Sequence, residues 1–304
     1  MSNRFVALRH WSAHALLLLA ATGCPPPSLP SSEEIVKQLS NAVLEPEVTC
    51  ATLRDELGLE GLPLADTPGG AGLAYEEYWV TAPDGAVLRV WYLPVEHPRG
   101  LVILSSGNTG PMPCYLFTAR VLVEGGWAVV MYDYEGFGGS SGEPSLASMR
   151  SDLEVVLDWA RAYTGFSHAT LFGMSLGSIP SIAVAVDRPT EVNAVVLDSP
   201  IALGEEIKRF AFLIAGRSDV VIAALASWLL SDQTIAQLHQ PLLIYEHGQD
   251  VVTLPEAVQF LYDLAPGPKE LVTFPDLGHA RGQFMRTDEY RAYLETFLAQ
   301  VWTP

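Results

Sequence analysis

The 304-residue sequence is short of charge, short of basic residues above all, poor in cysteine and without long apolar runs. Only 17% of its residues are charged, and 17 Lys and Arg face 35 Asp and Glu, for a formal charge of −18. So acidic a surface repels a phosphate backbone instead of condensing on it, which argues against nucleic acid as a partner. No stretch reaches the roughly 18 to 20 uninterrupted apolar residues of a membrane-spanning helix. The longest candidate, Val220 to Leu230, falls well short. There is no H-E-x-x-H, no cluster of Cys and His at ligand spacing, and no G-x-x-x-x-G-K, so neither a metal nor a nucleotide cofactor is expected. What is present is 49% hydrophobic residues, enough to exclude disorder and to fill the core of one large α/β domain or two small ones.

The N-terminus reads as a targeting segment. Arg4 and Arg9 precede the apolar run Ala15 to Ala21, which meets Thr22-Gly23-Cys24. This end resembles the lipobox of bacterial lipoproteins, although Ala21 stands where Leu is commoner. The resemblance implies a signal peptide over 1–23, lipid on Cys24, and Pro25-Pro26-Pro27-Ser28 as the start of a tether. The protein would then be moored in the bacterial cell envelope without spanning a membrane. Pro25, not Asp, after the lipid-bearing Cys implies the outer membrane. The alternative is an ordinary secretory signal with a chance Cys. In an oxidising compartment Cys50 and Cys114 form an even pair, open either to a disulfide or to two buried thiols, since sequence does not give their separation.

Apolar residues fall loosely at helical spacing from Ile35 to Leu57, before Gly58, Gly61, Pro63 and Pro68 break the pattern. This predicts a tether and lead-in helix over 24–74. From Tyr78 the pattern alternates, turns at Pro83-Asp84-Gly85 and continues from Val87 to Leu93, a β-hairpin signal. Six bare apolar runs of strand length follow, at Leu101–Leu104, Ala128–Tyr132, Ala169–Phe172, Ala194–Leu197, Leu242–Tyr245 and Leu271–Phe274. Helical stretches include Ser148–Tyr163, Ser178–Val186, Leu254–Leu264 and Thr287–Val301. Bare strands separated by helices predict a parallel sheet covered on both faces, as one domain over 75–304. Residues 201–240 are long for a connection, with apolar content at Phe210–Ala215 and Val220–Leu230. They read either as packing against the sheet or as a small lid sheltering an acyl substrate.

Gly173-Met174-Ser175-Leu176-Gly177 fits G-x-S-x-G, in which two glycines let the chain turn sharply enough to display Ser above the strand ends. A strand-like run leads in and a helical one leads out. A Ser hydroxyl needs a His to take its proton and a carboxylate to fix the His tautomer. Downstream, Asp250 follows one strand run and His279 follows the next; Glu246 and Asp198 are alternative acids. Gly107-Asn108-Thr109-Gly110 closes the first run, where a backbone N–H of Asn108 can converge with that of Leu176 on an acyl-transfer oxyanion.

In this order the Gly-rich turn, Ser, Asp and His resemble the α/β-hydrolase superfamily over about residues 75–302. The segment Asp133-Tyr134-Glu135-Gly136-Phe137-Gly138-Gly139-Ser140-Ser141-Gly142-Glu143-Pro144-Ser145 is similar to one found in serine hydrolases related to protein depalmitoylases. Ser106 stands where those have His, Glu135 where they have Arg, and the acid loop is one residue short. The resemblance implies a serine hydrolase of esters, thioesters or amides that needs no cofactor, its partner an acylated or small-molecule substrate. Ser175 would be nucleophile, His279 base, Asp250 orienting acid, and Asn108 and Leu176 the oxyanion donors. A non-catalytic envelope binding module on the same scaffold, and a serine peptidase, stand as alternatives.

Overall fold

The computed structural model describes residues 31–209 and 218–302. The signal, Cys24 and the proline spacer lie outside these, as do 210–217 and the last two residues. Eight strands form one sheet: β1 (Glu76–Thr81), β2 (Val87–Leu93), β3 (Leu101–Ser105), β4 (Ala128–Tyr132), β5 (Ala169–Met174), β6 (Val192–Asp198), β7 (Leu242–His247) and β8 (Lys269–Phe274). Their order is β1-β2-β4-β3-β5-β6-β7-β8. The hairpin partner β1 and the β2–β4 pair are antiparallel, and every other pairing is parallel. The six bare runs are thus the six parallel strands, and β3, β4 and β5 are buried at every position because helices cover both faces.

Alternate residues of each strand feed two cores. Leu88, Val90, Leu101, Ile103 and Val130 join a cluster with helices α1 (Ser32–Val43), α4 (Met149–Thr164) and α5 (Ser178–Asp187). Trp91, Leu93, Val102, Leu104 and Val129 meet α3 (Leu116–Glu124) and the C-terminal helix (Thr287–Val301). Helix α4 shows why such segments fold: Met149, Leu153, Val156, Leu157 and Ala160 make one apolar stripe, and Gly165 ends it at φ 78°.

The single lead-in helix expected over 35–57 is instead two, α1 and α2 (Cys50–Glu56). Pro46 explains the break, since it lacks an N–H and keeps the residue before it extended. The freed strand-like segment bonds backbone to backbone with the turn after β3: Glu45 donates to the Asn108 carbonyl at 2.8 Å, and Gly110 donates to the Glu45 carbonyl at 3.0 Å. Cys50 and Cys114 are joined in a disulfide. The 201–240 segment contains α6 (Leu203–Arg209) and α7 (Ser218–Ala224), and its Ile207, Val221, Leu225, Leu229 and Leu230 belong to the α4–α5 core. Phe210–Ala215, one of the two apolar stretches assigned to a lid, lies outside the described residues.

Candidate active site

Three loops at the C-terminal ends of β3, β5 and β7, and a fourth after β8, carry the residues singled out above. Ser175 sits between β5 and α5 at φ 49°, a left-handed conformation that costs a non-glycine residue about 1–3 kcal/mol. The flanking glycines are sterically required. A Cβ on Gly173 would stand 2.6 Å from the Gly177 carbonyl oxygen, and one on Gly177 would stand 2.4 Å from both the Ser105 and Ser106 carbonyls. Ser178 locks the turn, donating to the Ser175 carbonyl at 2.6 Å and accepting the Ile201 N–H at 3.1 Å.

Asp250 follows β7 and is 4% exposed. One carboxylate oxygen accepts the N–H groups of Val252 and Thr253 at 2.8 and 3.0 Å; the other accepts the Thr253 hydroxyl and meets His279 Nδ1, both at 2.7 Å. Burial pushes its pKa up, but the facing His279, the Thr253 hydroxyl and the Val252 N–H outweigh that, and the carboxyl is held below its ordinary value. In His279 burial favours the neutral ring, yet the Asp250 carboxylate dominates and raises the pKa above the ordinary 6.5. The shortened acid loop therefore still delivers a carboxylate to His279.

The other two acids are engaged elsewhere. Asp198 accepts the Tyr290 hydroxyl at 2.8 Å and lies 3.7 Å from His247, while Glu246 accepts the Thr273 hydroxyl at 3.2 Å. His247 is structural. Its Nε2 accepts the Gly282 N–H at 2.9 Å and its Nδ1 pairs with Ser199 Oγ at 2.9 Å, so burial keeps it neutral with the proton on Nδ1. Ser199 Oγ in turn accepts the Ala280 N–H at 3.0 Å. Ser199 and His247 thus hold the backbone just after His279, a role sequence reasoning did not find for Ser199.

The turn at 107–110 is braced from three directions. Asn108 Nδ2 donates to the Val43 carbonyl at 2.6 Å, Tyr115 donates to the Thr109 carbonyl at 2.8 Å, and the Tyr134 hydroxyl reaches the Ser106 carbonyl at 3.3 Å. Asp133 accepts the N–H groups of Met112 and Gly139 at 2.7 and 3.0 Å, tying the segment after this turn to its own loop. A Cβ on Gly138, at φ 49°, would stand 2.3 Å from that carboxylate. The Asp133–Ser145 motif is therefore a strut beneath the site. Glu135 does not reach the cavity; its N–H donates to Asp152 at 3.0 Å, and burial with Glu135 alongside pushes the Asp152 carboxyl up to about 8.

Ser175, His279 and Asn108 line one cavity of about 270 Å³. One wall comes from α2, through Leu53 and Glu56, and from Leu57 just after it, and no described residue of 201–240 lines it. Leu176 is buried beneath the Ser175 turn. Among the described residues no group of His, Cys, Asp or Glu is arranged to hold a metal ion.

The family model described as serine aminopeptidase, S33, matches residues 96–235. An uncharacterized protein of Mycobacterium tuberculosis H37Rv is 30% identical over 208 residues, 66% of this chain and 70% of its own length. The lysophosphatidylserine lipase ABHD12 of Xenopus tropicalis is 28% identical over 236 residues, 69% of this chain and 61% of its own. The Pyrococcus furiosus esterase Pf2001 superposes with a TM-score of 0.65 at 20% identity, over 80% of this chain and 97% of its own, a likeness of fold. Strand order, family model and relatives agree, and the chain belongs to the α/β-hydrolase superfamily.

Proposed function

We propose that the protein is a serine hydrolase of carboxylic esters or thioesters, with Ser175, His279 and Asp250 as its triad. The observation that carries this reading is the 2.7 Å contact of buried Asp250 with His279 Nδ1, His279 and Ser175 lining the same cavity. Asp250 fixes the tautomer that leaves Nε2 free to act as base. Ser175 Oγ attacks the acyl carbon as its proton passes to Nε2, and the carbonyl oxygen becomes an oxyanion held by the N–H groups of Asn108 and Leu176. The C–O or C–S bond then breaks, and the proton on Nε2 leaves with the alcohol or thiol. Water repeats the sequence on the acyl-enzyme: Nε2 takes its proton, the carboxylic acid departs, and Ser175 regains its hydrogen. No step requires a cofactor.

Ester cleavage is favoured by the lipase name of the Xenopus relative. The thioester option rests on the Asp133–Ser145 motif and its similarity to depalmitoylase-related hydrolases. The purified protein is expected to hydrolyse simple aryl esters, and Ser175→Ala to lower kcat by at least about 10⁴-fold. Equal turnover by the variant refutes the reading. A peptidase is the second reading, favoured by the description of the matching family model. Faster cleavage of an aminoacyl amide than of the matched acyl ester would establish it. Absence of any turnover, in protein shown to be folded, would leave the binding-module reading.

Export and lipidation of Cys24 form part of the proposal. The disulfide between Cys50 and Cys114 supports an oxidising compartment.

A further inference from the structure

A second cavity, of about 220 Å³, adjoins the one that exposes Ser175. Leu53, Leu57, Cys114 and Phe284 line both. Beyond them the second cavity is walled by Leu59, Leu62, Ala65, Ala71 and Phe117. Phe117, which lines the second cavity, packs against Phe284, which lines both, with ring centroids 4.8 Å apart.

The roof of both spaces is α2 and the loop after it. This roof is tied to the hydrolase body at separate points: the Cys50–Cys114 disulfide, a hydrogen bond from Arg120 to the Ala71 carbonyl, and one from Arg281 to the Gly58 carbonyl at 3.4 Å. Three ties over a loop rich in proline and glycine make a built chamber. Its lining is largely suited to hydrocarbon, with leucines, alanines and two phenyl rings, and Arg54 and Arg120 complete the wall.

We propose that the second cavity receives the acyl chain of the substrate, so that residues 50–71 are the element that sets chain-length specificity. This rests on Ser175 being the acyl-accepting group, because a chain held there has its first carbons in the first cavity and its later carbons beyond the Leu53–Phe284 boundary. The occupant is a medium-chain or longer acyl group delivered as an ester or thioester. Each methylene past the boundary leaves water for an apolar wall, which is the driving force for the preference.

The test is kcat/KM for a series of p-nitrophenyl esters from acetyl to dodecanoyl, on the full chain and on Ala65→Phe and Ala71→Phe, which place a ring inside the second cavity only. In the wild type kcat/KM rises by about tenfold or more from acetyl to octanoyl. In the variants the octanoyl-to-acetyl ratio drops by about tenfold. A flat or falling wild-type series overturns the inference whatever the variants do. So does a wild-type ratio kept by both variants when thermal melting shows them folded. Failure of the underlying reading looks different: Ser175→Ala then hydrolyses acetyl and octanoyl esters as fast as the wild type, and the subsite falls with it.

Discussion

At the scale of single residues, the contact between Asp250 and His279 fixes the pH behaviour expected of the site. A raised His279 pKa means that the ring stays protonated, and unable to act as base, to a higher pH than a free histidine. The acidic limb of kcat/KM is therefore expected above pH 6.5, the ordinary histidine value. Asp250→Asn removes the charge that raises it and allows the wrong tautomer, so kcat falls by about 10⁴-fold. Titration of the His279 ring by NMR checks the first statement directly, and a pKa at or below 6.5 in the wild type contradicts it. The same pair has opposite linkages to stability. The depressed Asp250 contributes stability above its unfolded pKa, which is lost as pH falls through the folded one; the raised His279 contributes stability below its unfolded pKa, lost as pH rises through the folded one.

At the scale of elements, α2 and the segment before it do more than the sequence suggested. The disulfide closes a separation of 64 residues between α2 and the turn leading into α3. On the chain-entropy argument alone such a loop is worth about 4 kcal/mol. Replacing Cys50 and Cys114 together with Ala is expected to lower the unfolding temperature by several degrees; an unchanged midpoint contradicts that. The parallel strands were legible because each is a bare β-branched or aliphatic run between Gly-rich corners, as in Leu101–Leu104 and Leu242–Tyr245. Ser175, Asp250 and His279 were legible because each lies just past such a run. The docking of the segment before α2 was not. Its hold on the site is the backbone pairing of Glu45 with Asn108 and Gly110, some 60 residues away, and backbone groups leave no residue-type signature. Ser199 escaped for a related reason: an isolated Ser after a strand is an ordinary loop residue until His247 and Ala280 are seen to meet it.

At the scale of the whole molecule, the proposed lipid on Cys24 would hold the protein at a membrane surface. The described residues contain no helix long and apolar enough to cross a membrane; under the proposal, lipid on Cys24 would supply the attachment. A diacylated N-terminus anchors stably where a single chain does not. Expressed with its signal in a Gram-negative host, the wild type is expected in the detergent-extracted membrane fraction and labelled by palmitate; Cys24→Ala is expected in the soluble fraction, unlabelled. Palmitate-free wild type contradicts this and favours an ordinary secretory signal. A net charge of −18 favours repulsion from anionic lipid, so under the proposal the lipid on Cys24, not the folded body, would supply the membrane affinity.

The activated serine is tested most directly by covalent capture. Purified protein is treated with a fluorophosphonate probe beside Ser175→Ala, and the modified peptide is identified by mass. Phosphonylation of Ser175, absent from the variant and suppressed when His279 is replaced by Ala, is the predicted result. Folded wild-type protein that takes no probe, or takes it at a residue other than Ser175, contradicts the assignment.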